Sequence, residues 1–150
     1  MPVETDANKL LANTAITHYD LDPNATTATE VAWVDMQDFG VFTASFFRTV
    51  GTSNLTLQVL ANTAADGSGT DVVVKTKDLT NAQPNAVGDY TFIEVTAAEI
   101  AQAAADAGVE GARYVTVEAT LATGTDEGVV TYVRSEPRFA HDGLTSDVIA

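Results

Sequence analysis

The chain has 150 residues, 45% of them hydrophobic and 19% charged, and its 21 acids against 7 bases give a formal net charge of −14. That size and balance belong to one globular domain able to bury a core unaided, not to a disordered chain. The absence of cysteine excludes a disulfide framework and a thiolate zinc site, and the acidity, with its few scattered cations, excludes a nucleic-acid-binding stripe.

Met1 to Ala12 is polar and without period, and is expected to be an N-terminal arm. The first six residues have neither the basic start nor the apolar middle of a secretory signal, and no apolar run approaches the ~20 residues of a membrane span, so synthesis in the cytoplasm and no membrane partner are expected. Thr14 to Leu21 alternates as a first strand, and turn-rich residues from Asp22 to Thr27 connect it to a second, Glu30 to Met36. Gln37-Asp38-Phe39-Gly40 turns the chain into Val41 to Val50, a strand carrying Phe42, Phe46 and Phe47. After Gly51-Thr52-Ser53, the strand Asn54 to Asn62 places Leu55, Leu57, Val59 and Ala61 on one inward face.

Asp66-Gly67-Ser68-Gly69 reads as a hairpin tip leading into Val72 to Lys77, whose lysines on one face suit a solvent-facing or edge strand. Tyr90 to Val95 follows an irregular link. Thr96-Ala97-Ala98-Glu99 is then a capping box, Ile100, Ala103, Ala104 and Ala107 line one helical face, and Gly108 suits a left-handed stop, so a helix is expected near 97–107. Arg113 to Leu121 alternates strictly, with Arg113, Val115, Val117, Ala119 and Leu121 on one face. A turn through Gly124 to Gly128 leads into Val129 to Arg134, and the pair reads as a half-buried antiparallel hairpin. Ala140 to Ala150 is expected to be a C-terminal tail.

About eight short strands and a single helix predict a mainly β fold: an antiparallel β-sandwich over 13–139, jelly-roll or immunoglobulin-like, with one short α-helix. Periodicity does not distinguish the two strand orders.

No catalytic residues, cofactor or metal are expected. His18 and His141 stand near opposite ends, and Ser68 lies in a glycine-flanked tip, not on a strand-to-helix elbow. The Asp66–Asp71 loop has oxygen donors but lacks the spaced carboxylates and terminal Glu of an EF-hand, while Asp126-Glu127 reads as a pair of solvated acids. Glu94 and Glu118 are strand carboxylates with nothing to set the separation a glycoside hydrolase needs. Trp33 with Tyr19, Tyr90 and Tyr132 offers a sugar-stacking platform if the four converge.

Three stretches carry a family resemblance. They are Asn54-Leu55-Thr56-Leu57-Gln58-Val59-Leu60 with the Asp66-Gly67-Ser68-Gly69 tip, Gly111-Ala112-Arg113-Tyr114-Val115-Thr116-Val117, and the closing Tyr132-Val133-Arg134-Ser135-Glu136-Pro137-Arg138-Phe139. Through them residues 31–139 resemble small β-sandwich virion proteins of tailed bacteriophages, of the head decoration (capsid cement) type. The resemblance implies a non-enzymatic structural protein on the outer capsid surface of the virion. Its partners would be the major capsid protein and copies of itself, with a trimer favoured because such proteins commonly sit on local threefold positions. A carbohydrate-binding or adhesion module and a tail or neck component are the alternatives. As rare cations near the exit of the last strand, Arg134 and Arg138 are the expected interface anchors, since arginine holds carboxylates bidentately.

Overall fold

A computed structural model describes residues 15–21, 29–30, 32–80 and 85–137. The expected arm and tail, Arg138 and His141 lie outside the described residues. Within them the elements run β1 (Ala15–Leu21), β2 (Thr29–Glu30), β3 (Val34–Asp35), β4 (Phe39–Val50), β5 (Leu55–Asn62), β6 (Val72–Leu79), β7 (Tyr90–Thr96), α1 (Ala97–Asp106), β8 (Tyr114–Leu121) and β9 (Glu127–Pro137). One sheet has the order β1-β9-β4-β7; the other has β2-β8-β5-β6, with β3 also pairing β8. Every pairing is antiparallel.

With β2 and β3 taken as one interrupted strand, this is the eight-stranded jelly roll of two interleaved Greek keys. The immunoglobulin-like alternative is excluded, because consecutive strands repeatedly change sheets. Only β5 and β6 form a hairpin within one sheet among the described residues. The expected hairpin of the last two strands is therefore corrected: β8 lies between β5 and the β2/β3 strand, whereas β9 lies between β1 and β4 in the opposite sheet. Alternation marked which face of each strand is buried, but a strand's neighbour depends on how its turn leaves the sheet.

The two inner faces supply the core. From β4 come Phe42, Ala44 and Phe46; from β5 Leu55, Leu57 and Val59; from β8 Val115, Val117, Ala119 and Leu121; and from β9 Val130 and Tyr132, all buried. Leu57 stands across from Ala119 and Val59 from Val117, so the inward faces read from the sequence do share one surface. Helix α1 bridges β7 and β8, and its capping box forms as expected: Glu99 N donates to Thr96 Oγ1, and Thr96 N donates to the Glu99 carboxylate. Ile100 and Ala104 are its buried anchors, and Gly108 beyond its end is left-handed at φ 69°.

The strand expected over Glu30–Met36 is broken. Among the described residues Ala32 and Trp33 lie outside the ladder, between the pairs Glu30↔Glu118 and Val34↔Val115 with β8. Trp33 lies in the break, and its indole fills the space that a side chain on Gly67 would need. The Tyr132 hydroxyl reaches across the sandwich to β8 at the same break, accepting from the Val117 amide at 2.8 Å. An aromatic packed on the β5–β6 tip and a tyrosine from the opposite sheet thus both lie beside this interruption.

Candidate interaction surface

Among the described residues, those singled out in the sequence do not gather. Arg134, half-buried, donates through Nη1 to the Asp35 carbonyl at 2.9 Å and lies over the Phe39 ring at 4.9 Å. His18 stands across from Thr131 in the β1–β9 register. Glu94 is outward on one sheet and Glu118 outward on the other, so this pair of carboxylates is separated by the whole sandwich. Tyr132 is core, Trp33 is half-buried against Gly67, and Tyr90 is 69% exposed, so the four-aromatic platform does not assemble.

In the β5–β6 tip, Asp66 accepts from the Ser68 amide, and Asp71 takes the Asn62 amide nitrogen at 2.6 Å. Ser68, through its hydroxyl and then its amide, holds the Asp66 carboxyl below its ordinary range. Among the described residues no three His, Cys, Asp or Glu side chains come together as a metal site.

Asp126 is not the solvated acid the sequence suggests. It is 4% exposed, and its Oδ2 accepts from Arg48 Nη1 at 2.8 Å and from the Ser53 amide at 2.7 Å. Arg48 is fully buried, gives Nη2 to the Ser53 carbonyl at 2.6 Å, and lies over the Phe46 ring. Burial pushes the Asp126 carboxyl up, but the Ser53 donors and the Arg48 charge outweigh it and hold the group below its ordinary value. The cluster ties the β4–β5 connection to the β8–β9 turn. Gly51, at φ 85°, is required beside it because a Cβ there would overlap the Asp126 carboxylate. This is a lock on the fold, since every polar atom named is spent within the cluster.

A second finding concerns the margin where β6 and β7 edge their respective sheets. A register shift between Val59 and Leu60 sets Lys75 across from Val59 and Lys77 across from Leu57. The lysines therefore share a side of β6 with Leu57 and Val59 of β5, and β6 is the edge strand that the sequence reading offered for them. They cross the open side of the sandwich: Lys75 Nζ donates to the Glu94 carbonyl at 2.9 Å and Lys77 Nζ to the Phe92 carbonyl at 2.8 Å. Both acceptors lie on β7, so two charges on one edge strand block the free edge of the other as well. Between these strands and α1 runs a groove of about 470 Å³ lined by Lys75, Lys77, Phe92, Glu94 and Glu99.

The outer face of the β1-β9-β4-β7 sheet differs from the rest of this acidic surface. On β4 it carries Val41, Thr43, Ser45 and Phe47; on β7 Tyr90, Phe92 and Glu94; and on β9 Val129, Thr131, Val133 and Ser135. Among these Glu94 alone is charged, and its carboxylate accepts from the Thr43 hydroxyl at 3.1 Å. Phe47 stands directly across from Tyr90, and Ser45 from Phe92. The three rings are 45%, 69% and 53% exposed, in the order Phe47, Tyr90, Phe92. They stand at the β4–β7 side of the face. Sequence reading missed it because Phe46 and Phe47 are adjacent: alternation sends one inward and the other out, and which goes where depends on the core.

No protein-family model matches the chain, and no curated protein matches it. Among solved structures it is similar to the Yersinia pseudotuberculosis-derived mitogen at 13% identity, covering 91% of this chain and 94% of that one with a TM-score of 0.45. It is similar to a structure of Bacillus endospore appendages, described as disulfide-linked pili, at 17% identity, 81% and 86% coverage and a TM-score of 0.41. The SPBc2 prophage-derived protein YomS is similar at 14% identity, 81% and 95% coverage and a TM-score of 0.41. Likenesses this distant carry no functional meaning.

Proposed function

We propose that this protein is a non-enzymatic structural protein of a phage virion, a decoration protein that clamps adjacent capsid subunits from outside the shell. The observation that supports action by contact is the outer sheet face, where three rings stand exposed on β4 and β7. Large exposed rings placed side by side are what an interaction site presents. The virion setting comes from the family resemblance in the three stretches quoted above, and the jelly roll is a frequent architecture of capsid domains. Fold alone does not specify function, so the proposal stands on the surface and the resemblance together.

A carbohydrate-binding role is the second reading. It is favoured by Tyr90 and Phe92, whose exposed rings offer stacking faces, with Thr43 and Glu94 beside them as polar partners.

The test is co-sedimentation of the purified protein with empty shells of the major capsid protein from the same virus, alongside a glycan array. Saturable binding that raises the melting temperature of the shells supports decoration. Glycan binding without shell binding supports the second reading and removes the first. Arg134→Ala combined with Arg138→Ala in the same assay tests the two arginines as anchors, with thermal stability measured in parallel because Arg134 also holds the Asp35 carbonyl.

A further inference from the structure

We infer that the ring-bearing side of the outer face, at Phe47, Tyr90, Phe92 and Glu94, takes the arginine side chains of a protein partner. The inference rests on the shell-binding part of the proposed function and names the chemistry of the surface that would be met.

The register sets the parts beside one another. Phe47 on β4 stands between Val129 of β9 and Tyr90 of β7, and Ser45 stands between Thr131 and Phe92. Adjacent strands lie about 4.8 Å apart, and residues two positions on along a strand about 7 Å. The three rings and the Glu94 carboxylate therefore fall within the span of one or two arginine heads. Glu94 accepts from the Thr43 hydroxyl through Oε2, and a carboxylate has room for further donors. Asp20 stands across from Val129, which places a second acid in the row of Phe47 and Tyr90.

Charge selects the occupant. A chain of −14 draws cations and turns acids away. Rings with a carboxylate beside them hold a guanidinium in two ways, through the ring quadrupole and through a bidentate pair. The fold uses rings in this manner within itself. Among the described residues every arginine lies over one: Arg48 over Phe46 at 5.7 Å, Arg113 over Tyr114 at 5.0 Å and Arg134 over Phe39 at 4.9 Å. Lys77 lies over Phe92 at 5.3 Å. Phe47 and Tyr90 carry no such cation among the described residues, and the Tyr90 hydroxyl has no hydrogen-bond partner there. They are the exposed seats that the chain's own described cations leave open.

The experiment is binding of a labelled Gly-Arg-Ser-Arg-Gly peptide to the full chain, read by fluorescence anisotropy at ~0.05 and ~0.3 M salt. Amide NMR shifts locate the contact, and a control peptide carries citrulline, which keeps the shape of arginine without its charge. The expected shifts are at Phe47, Tyr90 and Phe92, with binding that weakens as salt rises and is lost with citrulline. Phe47→Leu with Tyr90→Leu keeps the net charge and the apolar area, and is expected to weaken binding roughly tenfold. If that pair fails to fold, Tyr90→Leu alone is expected to weaken it about threefold. Glu94→Gln is expected to weaken it about threefold or more, whereas Glu110→Gln, the same change of charge at an exposed site between α1 and β8, should leave it unchanged.

Binding that the leucine variants leave intact, or that Glu110→Gln weakens as much as Glu94→Gln does, is diffuse attraction to an acidic chain and overturns the inference. So do shifts located elsewhere, equal binding of the citrulline peptide, or no binding at all. Shell binding read at the same two salts separates the two claims. Shells bound equally at both salts and by the leucine variants keep decoration and remove this inference, whereas peptide bound at this face with shells ignored does the reverse.

Discussion

Tyr132 on one sheet and Val117 on the other are joined by a hydrogen bond of 2.8 Å, from the Val117 amide to the Tyr132 hydroxyl, in the middle of the sandwich. The hydroxyl sits 3.1 Å from Thr116 Oγ1 and 3.4 Å from the Val117 carbonyl, where the pairing of β8 with β2 and β3 is interrupted. A side chain from the opposite sheet thereby supplies the acceptor for a buried strand amide, and its ring packs edge-on against Phe42 at 5.0 Å. Tyr132→Phe keeps that packing and leaves the buried amide without this acceptor, so it should cost ~1–3 kcal/mol in urea unfolding. An unchanged midpoint would mean that the Val117 amide finds another acceptor.

The Arg48–Asp126 pair leads to a second prediction. Both side chains are buried and the carboxylate also serves Ser53, so Asp126→Ala strands a guanidinium in the core. The expected loss is ~3–5 kcal/mol. Replacing both members together, Arg48→Met with Asp126→Leu, should cost less than the sum of the two single changes, because the burial penalty disappears with the charges. Strict additivity in the double-mutant cycle would show that the pair is not coupled.

The same pair sets an acid response. Asp126 titrates below its ordinary 3.8, so the folded protein binds its proton less readily than the unfolded chain does. The stabilisation is therefore complete above about pH 5 and is lost as pH falls through 3.8 and below. In denaturant titrations between about pH 5 and 2, Asp126→Asn should show a flatter loss of stability than the wild type. Parallel curves would assign the acid sensitivity to other carboxylates.

Leu57 tests the core. It is 1% exposed, stands across from Ala119, and belongs to the inner face of the β2-β8-β5-β6 sheet. Leu57→Ala should cost ~2–5 kcal/mol, the spread reflecting how far the site collapses around the lost atoms. Thermal and denaturant unfolding read the effect, and a melting temperature equal to that of the wild type would mean that the site closes without penalty.

Much of this molecule was written in local pattern. The inward rows of β5 and β8 followed from period-two alternation, and the helix start at Thr96 followed from a four-residue box, because both depend on residues a few positions apart. The tertiary structure decided everything that needs a distant neighbour. It chose the jelly-roll order and split the last two strands between sheets, since a strand's face is local but its partner is not. Joining Arg48 to Asp126, 78 positions apart, turned an apparently solvated acid into a buried lock. The closing of the two sheets brought Lys75 and Lys77 of one edge strand onto the Glu94 and Phe92 carbonyls of the other. Finally, it placed Phe47, Tyr90 and Phe92 on one outward face, a proximity invisible in the chain because β4 and β7 meet only when the sandwich closes.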